Sequence, residues 1–338
     1  MKNLYDENGY VNIKKIINLD IPFIFIVGGR GTGKTYGTLK MVVEDDIMFM
    51  LMRRTQSQTD LINKPEFSPF KPINSDLGIN IETKQVSKYN AGLYNNIEEG
   101  GSPIGYTCAL STIANMRGFD ASDVKILIWD EFIPEKHERP LKNEAMAFFN
   151  AYETINRNRE IKGEKPLQVI ALANANDLAN PIFLELGLVR IANKMKKRKQ
   201  ESYINKERGI AIFLLEESPI SKQKGETAVY KLTRGSDFEK MSIENRFSSD
   251  KKSRIKSKPL REYRPIVCIG ELCIYEHKSN TTLYASTHKT GSPITYTLSD
   301  ADRARFIRAY KWVWDEYLEN NIEFEEYLCE IMLTKAFK

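Results

Sequence analysis

Residues 28–35 read Gly-Gly-Arg-Gly-Thr-Gly-Lys-Thr and satisfy the pattern GxxxxGK[ST] at every fixed position. The run from Pro22 to Val27 before it is short and continuously apolar, as a buried parallel strand is. A helix is predicted after it, from about Gly33 to Glu44. A strand, a glycine-rich turn and a helix in this order form a phosphate cradle. Backbone N–H groups wrap the phosphates at the helix N-terminus, and glycines let the chain come close enough. Lys34 reaches the β- and γ-phosphates, and the Thr35 hydroxyl is a ligand for Mg²⁺. Gly28, Gly29, Arg30, Gly31, Thr32, Gly33, Lys34 and Thr35 are therefore the candidate nucleotide-binding residues. A glycine-rich turn arising by chance would lack these flanks.

A second element completes the chemistry. Ile126-Leu-Ile-Trp129 is apolar and ends in Asp130-Glu131. Asp130 sits where a strand end can hold the shell of a magnesium ion, and Glu131 where it can polarise a water for attack on a γ-phosphate. Another buried run, Leu167 to Ala173, ends in Asn174, a candidate γ-phosphate sensor, with Asn176 second. Three groups of arginines lie near these elements. Arg53 and Arg54 end the run from Ile47 to Met52, and Arg53 is counted with the nucleotide contacts. Arg117 precedes the carboxylate strand. Arg157 and Arg159 end a predicted amphipathic helix in which Leu141, Ala145, Phe148, Phe149, Tyr152 and Ile155 recur at three- and four-residue spacing. A cation reaching a neighbouring subunit's γ-phosphate would stabilise transition-state charge.

With further strand candidates at Gly105–Leu110 and Ile210–Leu215, a hairpin around Asn90-Ala91-Gly92 and a helix opened by Pro181, the first two thirds alternate strand and helix. That is the pattern of an α/β, doubly wound parallel sheet. The predicted P-loop domain covers 1–217. A polar stretch at 218–254 reads as a linker or lid. From 255 to 338 the pattern is α+β: short strands at Arg264–Ile269, Leu272–His277 and Thr282–Ser286 joined by tight turns, then a helix from Ser299, a good N-cap, to about Glu319. The 338 residues agree with about two domains.

Four cysteines without a CxxC pair argue against a disulfide framework or a zinc ribbon, and three histidines leave little for a metal site. The first ten residues lack the apolar run of a secretory signal, and no apolar stretch approaches the ~18 residues of a membrane span. The expectation is a soluble protein of a reducing compartment.

Taken together, GGRGTGKT at 28–35, MRRT at 52–55, ILIWDEFIPEK at 126–136, ETINRNRE at 153–160, ALANANDLANPIF at 171–183 and KMSIENRF at 240–247 resemble the viral genome-packaging ATPases. Within these large-terminase-like motors the chain is most similar to the short kind from small tailed phages with protein-capped genomes. The Walker motifs alone are common to many ATPases; the DEF element, the RNRE helix end and the NANxxxNP run are more specific. The resemblance implies an ASCE-type P-loop fold, ATP and Mg²⁺ as ligands, and a homo-oligomeric ring, a pentamer. That ring docks on the portal of an empty capsid in the host cytoplasm, is absent from the mature virion, and translocates double-stranded DNA. It implies Arg157 as a trans-acting arginine finger, Arg117 as a second trans-acting cation, Asn174 in a coupling motif, and an RNase H-like C-terminal domain that has lost its nuclease acids and can meet a packaging RNA. The residues bear on that last point themselves. The C-terminal strands offer Glu271 and Glu276 but no aspartate, while two-metal cleavage needs several carboxylates on one sheet.

A net charge of +5, from 50 basic and 45 acidic residues, hides local runs. Lys194, Lys196, Lys197, Arg198 and Lys199 form one. Lys251, Lys252, Arg254, Lys256, Lys258, Arg261 and Arg264 form a second. An acidic segment with interleaved aromatics from Asp315 to Glu330 offsets them and reads as helices packed on the small sheet. DNA, RNA or the portal could each use such cations through phosphate or carboxylate contacts. The rival readings are a P-loop helicase not tied to a capsid, a small-molecule kinase, a GTPase, and a nucleic-acid-binding protein with a dead P-loop. Full helicase motifs and NKxD are missing, the Glu after Asp130 disfavours a kinase, and intact Lys34, Thr35, Asp130 and Glu131 disfavour a dead site.

Overall fold

The computed structural model describes residues 4–97, 101–116, 118–134, 138, 141, 143–174, 178, 180–215, 219, 227–233 and 254–337. The chain divides into two compact units, Met1–Ser248 and Ser249–Lys338.

The first unit is built on nine strands. They are β1 (Phe23–Gly28), β2 (Phe49–Arg53), β3 (Ile81–Gln85), β4 (Ala91–Asn95), β5 (Gly105–Ala109), β6 (Ile126–Asp130), β7 (Gln168–Ala173), β8 (Ser202–Asn205) and β9 (Ile210–Leu215). Their order across the sheet is β3-β4-β5-β2-β6-β7-β1-β9-β8. The six strands from β5 to β9 pair in parallel. The β3–β4 hairpin and β8 close the two edges in antiparallel.

The apolar runs explain this arrangement, because each parallel strand is buried on both faces. Ile24, Ile26, Phe49, Leu51, Ile126, Ile128, Ile170 and Leu172 pack on one side with Ile13 and Ile16 of α1 (Ile13–Ile17), Leu39, Met41 and Val42 of α2 (Lys34–Glu44) and Ile73 of α4 (Lys71–Leu77). On the other side Trp129 stacks on Phe148 of α5 (Glu144–Asn156) at 4.7 Å between ring centroids, and Phe25 meets Phe183 of α6 (Pro181–Glu185) at 5.3 Å. Helices thus cover both faces, as the alternation of the first two thirds predicts. α5 begins at Glu144, three residues later than Leu141, where its apolar spacing begins. Two elements lie outside the predicted ones: the edge strand β8, which has no apolar run, and α7 (Val189–Lys197), whose buried Val189, Ala192 and Met195 are interleaved with the first basic run. Beside them, α3 (Gln56–Ile62) follows β2 behind a capping box from Thr55.

A buried ion pair ties β2 to α5. Arg54 Nε donates to Glu144 Oε1 at 2.6 Å and Nη2 to Oε2 at 3.0 Å, with Glu138 beyond at 3.1 Å. Both side chains of the main pair are essentially sealed from solvent. Glu144→Ala removes the bidentate acceptor from a buried guanidinium and should cost about 3–5 kcal/mol, read as a fall in denaturation midpoint. The double variant Arg54→Met/Glu144→Leu should melt near the native chain. A native midpoint for Glu144→Ala would show that the pair contributes nothing.

Of the predicted 218–254 linker the structure describes residue 219, residues 227–233 with α8 (Ala228–Leu232), and Arg254; the rest lies outside the described residues.

The second unit has a five-stranded sheet in the order β13-β10-β11-β12-β14. Its strands are β10 (Tyr263–Ile269), β11 (Leu272–His277), β12 (Leu283–Ser286), β13 (Ile294–Tyr296) and β14 (Ile322–Phe324). The first three form the expected antiparallel meander, while β13 joins β10 and β14 joins β12 in parallel. α9 (Asp300–Leu318), capped by the Ser299 side chain, and α10 (Tyr327–Phe337) cover one face through Phe306, Val313, Cys329 and Leu333. Between them β14 interrupts the segment read as helical. Ile322 and Phe324 alternate inward beside β12, and that two-residue period is too short to detect in sequence. The other face carries Tyr263, Cys268, Cys273, Tyr275 and Tyr284. The tight turn at Gly270-Glu271 sets Cys268 directly opposite Cys273, and the two are joined in a disulfide. No framework of disulfides exists among the described residues, but this one pairing escaped the spacing argument.

Candidate active site

The carboxyl ends of β1, β2, β6 and β7 meet at one edge of the large sheet. That is where open α/β sheets bind ligands. β1 runs into the phosphate cradle at Gly28. A Cβ at Gly28 would sit 2.6 Å from the Leu215 Cβ of β9, so only glycine lets the strands pair there. Gly33, the N-cap of α2, has φ +84°, a left-handed turn that favours glycine and aims the first helical N–H groups into the loop. The Lys34 ammonium is buried in the loop. It donates to Gly28 O (2.9 Å), Gly29 O (2.6 Å) and the Thr32 hydroxyl (3.2 Å). Arg30 and Gly31 stand exposed at the rim.

β6 delivers the carboxylates. Asp130 is 3% exposed and accepts from the Thr35 hydroxyl at 2.9 Å. Sequence reasoning missed what Arg53 touches. Its guanidinium lies against the carboxylates instead of the phosphate loop, with Nη2 2.9 Å from Asp130 Oδ2 and Nη1 2.6 Å from Glu131 Oε2. The cause is topological. β2 lies beside β6, so residues at their carboxyl ends are neighbours. Glu131 has φ +60° and a half-exposed side chain, a backbone turn that lifts its carboxylate off the strand into the pocket. Asn174 directly follows β7 and, with Ala173, lines the same pocket, a cavity of about 340 Å³ that also includes Arg30, Gly33, Lys34, Thr35, Asp130 and Glu131. A larger cavity of about 870 Å³ opens at the opposite edge of the sheet, near Pro22, Lys125 and Gln168, and has neither a phosphate loop nor paired carboxylates.

The Thr35 hydroxyl and the Asp130 carboxylate, within hydrogen-bond reach of each other, are two hard oxygen donors at the mouth of a phosphate loop. That donor set fits Mg²⁺, which keeps waters and takes one or two protein oxygens beside the phosphates. Among the described residues no cluster of three or more His, Cys, Asp or Glu offers a separate metal cage.

Arg157 is elsewhere. It caps the carboxyl end of α5, its side chain is half-exposed, and its Nη2 donates to Phe119 O at 3.0 Å. Phe119 precedes β6, and the residue after Arg157, through its turn, leads to the start of β7. Arg157 therefore lies at the amino-terminal edge of the sheet. A five-residue strand is roughly 17 Å long, so the site of its own chain is out of reach. Beside it the Asp120 carboxyl is held below its ordinary range, chiefly by hydrogen bonds from Ser122, with burial opposing and the Arg157 guanidinium assisting. Arg117 and Asn176 lie outside the described residues.

The basic candidates divide. Lys196, Lys197 and Arg198 close the last turn of α7, whose other side buries Val189, Ala192 and Met195. Lys197 and Arg198 are exposed, and cations there also suit the helix dipole. Arg254 instead donates to Tyr317 O at 2.9 Å and lies over the Tyr317 ring, and Lys256 pairs with Glu323 at 3.1 Å. Those two cations hold the second unit together. Lys251 and Lys252 lie outside the described residues.

Residues 5–269 match the family described as Podovirus DNA encapsidation protein (Gp16). The DNA packaging protein of Bacillus phage phi29 is 24% identical over 306 residues, covering 88% of this chain and 85% of that protein. The DNA packaging protein of Bacillus phage B103 is 26% identical over 240 residues, covering 70% and 67%. In three dimensions the chain superposes on a subunit of the bacteriophage Phi-29 viral genome packaging motor assembly with a TM-score of 0.66, at 19% identity and 97% and 99% coverage. It superposes on the Phi-28 gp11 DNA packaging motor with a TM-score of 0.61, at 17% identity and 98% and 97% coverage. Both likenesses show a shared fold over nearly the whole length.

Proposed function

The chain belongs to the podovirus DNA encapsidation family, and from that premise we propose that it is the ATP-hydrolysing subunit of a ring motor that drives double-stranded DNA into a preformed capsid. The observation that carries this reading is the convergence of Lys34, Thr35, Asp130 and Glu131 at one sheet edge. Lys34 leaves the loop carbonyls for the β- and γ-phosphates, as its single flexible stem allows. Thr35 and Asp130 would hold Mg²⁺, which would supply positive charge against the phosphates. Glu131 takes the proton of the attacking water, and Asn174 senses the γ-phosphate from the end of β7. Arg53, now on both carboxylates, sets their orientation.

Arg157 fits a ring, because at the far edge of its own sheet its guanidinium could act on a γ-phosphate only in another copy. The family resemblance adds a pentamer, the portal, Arg117 as a second trans cation and a packaging RNA as a further partner. A working nuclease is disfavoured. The meander's second face buries tyrosines and a disulfide, Glu276 pairs with Arg264, and Asp302 is occupied by Thr297 and Arg305. A capsid-independent helicase gains nothing from family membership.

DNA contact is assigned to the cations at the carboxyl end of α7, of which Lys197 and Arg198 are exposed and Lys196 half-buried. The test is DNA binding across a salt series. Lys196→Ala/Lys197→Ala/Arg198→Ala should bind less tightly, with the log–log salt slope reduced by about one for each phosphate no longer neutralised. An unchanged slope removes α7 from the DNA path. Double-stranded DNA at low salt should stimulate hydrolysis by the native chain, and no stimulation would sink the motor reading.

A further inference from the structure

The geometry points to Asn156 and Arg159 as positioning residues that hold Arg157 out as a trans-acting cation. This rests on the reading of Arg157 given above, and assigns work to the two buried residues beside it.

Arg157 has φ +51° and ψ −133°. These angles match the first central position of a type II′ turn, a place glycine dominates because a Cβ is crowded there. The turn is closed by Arg159 N–H donating to Asn156 O at 3.4 Å. An arginine stays in such a conformation only when its surroundings fix it, and conformations of this kind gather at functional sites.

The flanking side chains supply the fixing. Asn156 is 4% exposed and Arg159 is 6% exposed, whereas the Arg157 side chain between them is 47% exposed. Asn156 Oδ1 accepts from Leu167 N at 2.7 Å, just before β7, and its Nδ2 donates to Glu160 Oε2 at 2.8 Å. Arg159 Nη2 donates to Ala121 O at 3.0 Å and Ser122 O at 3.1 Å, in the approach to β6. One anchor therefore grips the entry to β7 and the other the entry to β6, the strand that ends in Asp130 and Glu131. Arg159 is a buried cation that the hydrolytic site does not use. Its two acceptors are backbone carbonyls, so its work is to fix chain geometry, and the residue whose geometry is unusual is Arg157.

The test uses full-length subunits assembled with DNA. Arg159→Met should lower hydrolysis at least tenfold while ATP affinity stays within twofold. Mixing it with Glu131→Gln subunits should restore hydrolysis to the level reached by an Arg157→Ala and Glu131→Gln mixture. The Glu131→Gln subunit has a dead site but presents a correctly held Arg157 to its neighbour. A fold defect confined to the subunit's own site would not be restored. Native hydrolysis by Arg159→Met, or a deficit that mixing fails to restore while Arg157→Ala is restored, overturns the inference. If Arg157→Ala itself is not restored, the trans reading falls and this inference with it. Should Arg159→Met not fold, Asn156→Ser probes the same turn from its other anchor with the same outcomes. Independently, Arg157→Gly should melt about 2–4 °C above Arg157→Ala because only the alanine keeps a crowded Cβ in the turn; an equal or lower midpoint would show that no strain is held there.

Discussion

Glu131→Gln is expected to bind ATP as tightly as the native chain and to turn it over ~10²- to 10⁴-fold more slowly, the usual span for removal of a general base. The amide keeps the size of the side chain and a hydrogen-bonding oxygen near Arg53, but it cannot take a proton from water. The phosphate loop, the Thr35–Asp130 contact and the buried Lys34 are untouched, so affinity should hold. Binding titrations beside steady-state hydrolysis separate the two. Undiminished hydrolysis would remove Glu131 from its role, and abolished binding would mean that the Arg53–Glu131 ion pair shapes the phosphate site itself.

The second large effect concerns Arg157→Ala. Rings made wholly of this variant should hydrolyse ATP about 10³-fold more slowly, the scale of an absent arginine finger. Stability should change little, because the half-exposed guanidinium makes one good hydrogen bond, to Phe119 O, and a long contact to Asp120. Mixed with Glu131→Gln, the variant should regain activity at interfaces where the partner donates the cation. Failure in every mixture would give Arg157 a structural role.

The parts of this molecule legible in the sequence are those whose signal is local. Gly28–Thr35 carries its chemistry in consecutive residues, and Asp130-Glu131 announces itself at the end of an apolar run. The alternation of buried strands and helices was equally plain, because parallel strands covered on both sides need continuous apolar sequence. What escaped depends on partners distant in the chain. Arg53 was assigned to the nucleotide, and only the adjacency of β2 and β6 reveals its grip on both carboxylates. Arg159 reads with Arg157 as a cation free to reach a neighbour, yet it and Asn156 are buried by partners at Leu167, Ala121 and Ser122. Arg254 and Lys256 looked like an open basic run until Tyr317 and Glu323 took them up. The Cys268–Cys273 pairing needed the register of a hairpin, and β14 is only three residues long.

The most direct measurement of the central claim is DNA encapsidation with purified empty capsids from the same virus, carrying their portal. With ATP, the native chain should convert genome-length DNA into a nuclease-resistant form while hydrolysing ATP. Glu131→Gln should protect none above background. Equal protection by Glu131→Gln, or ATP hydrolysis by the native chain with no DNA protected in the same reaction, would contradict a motor driven from this site.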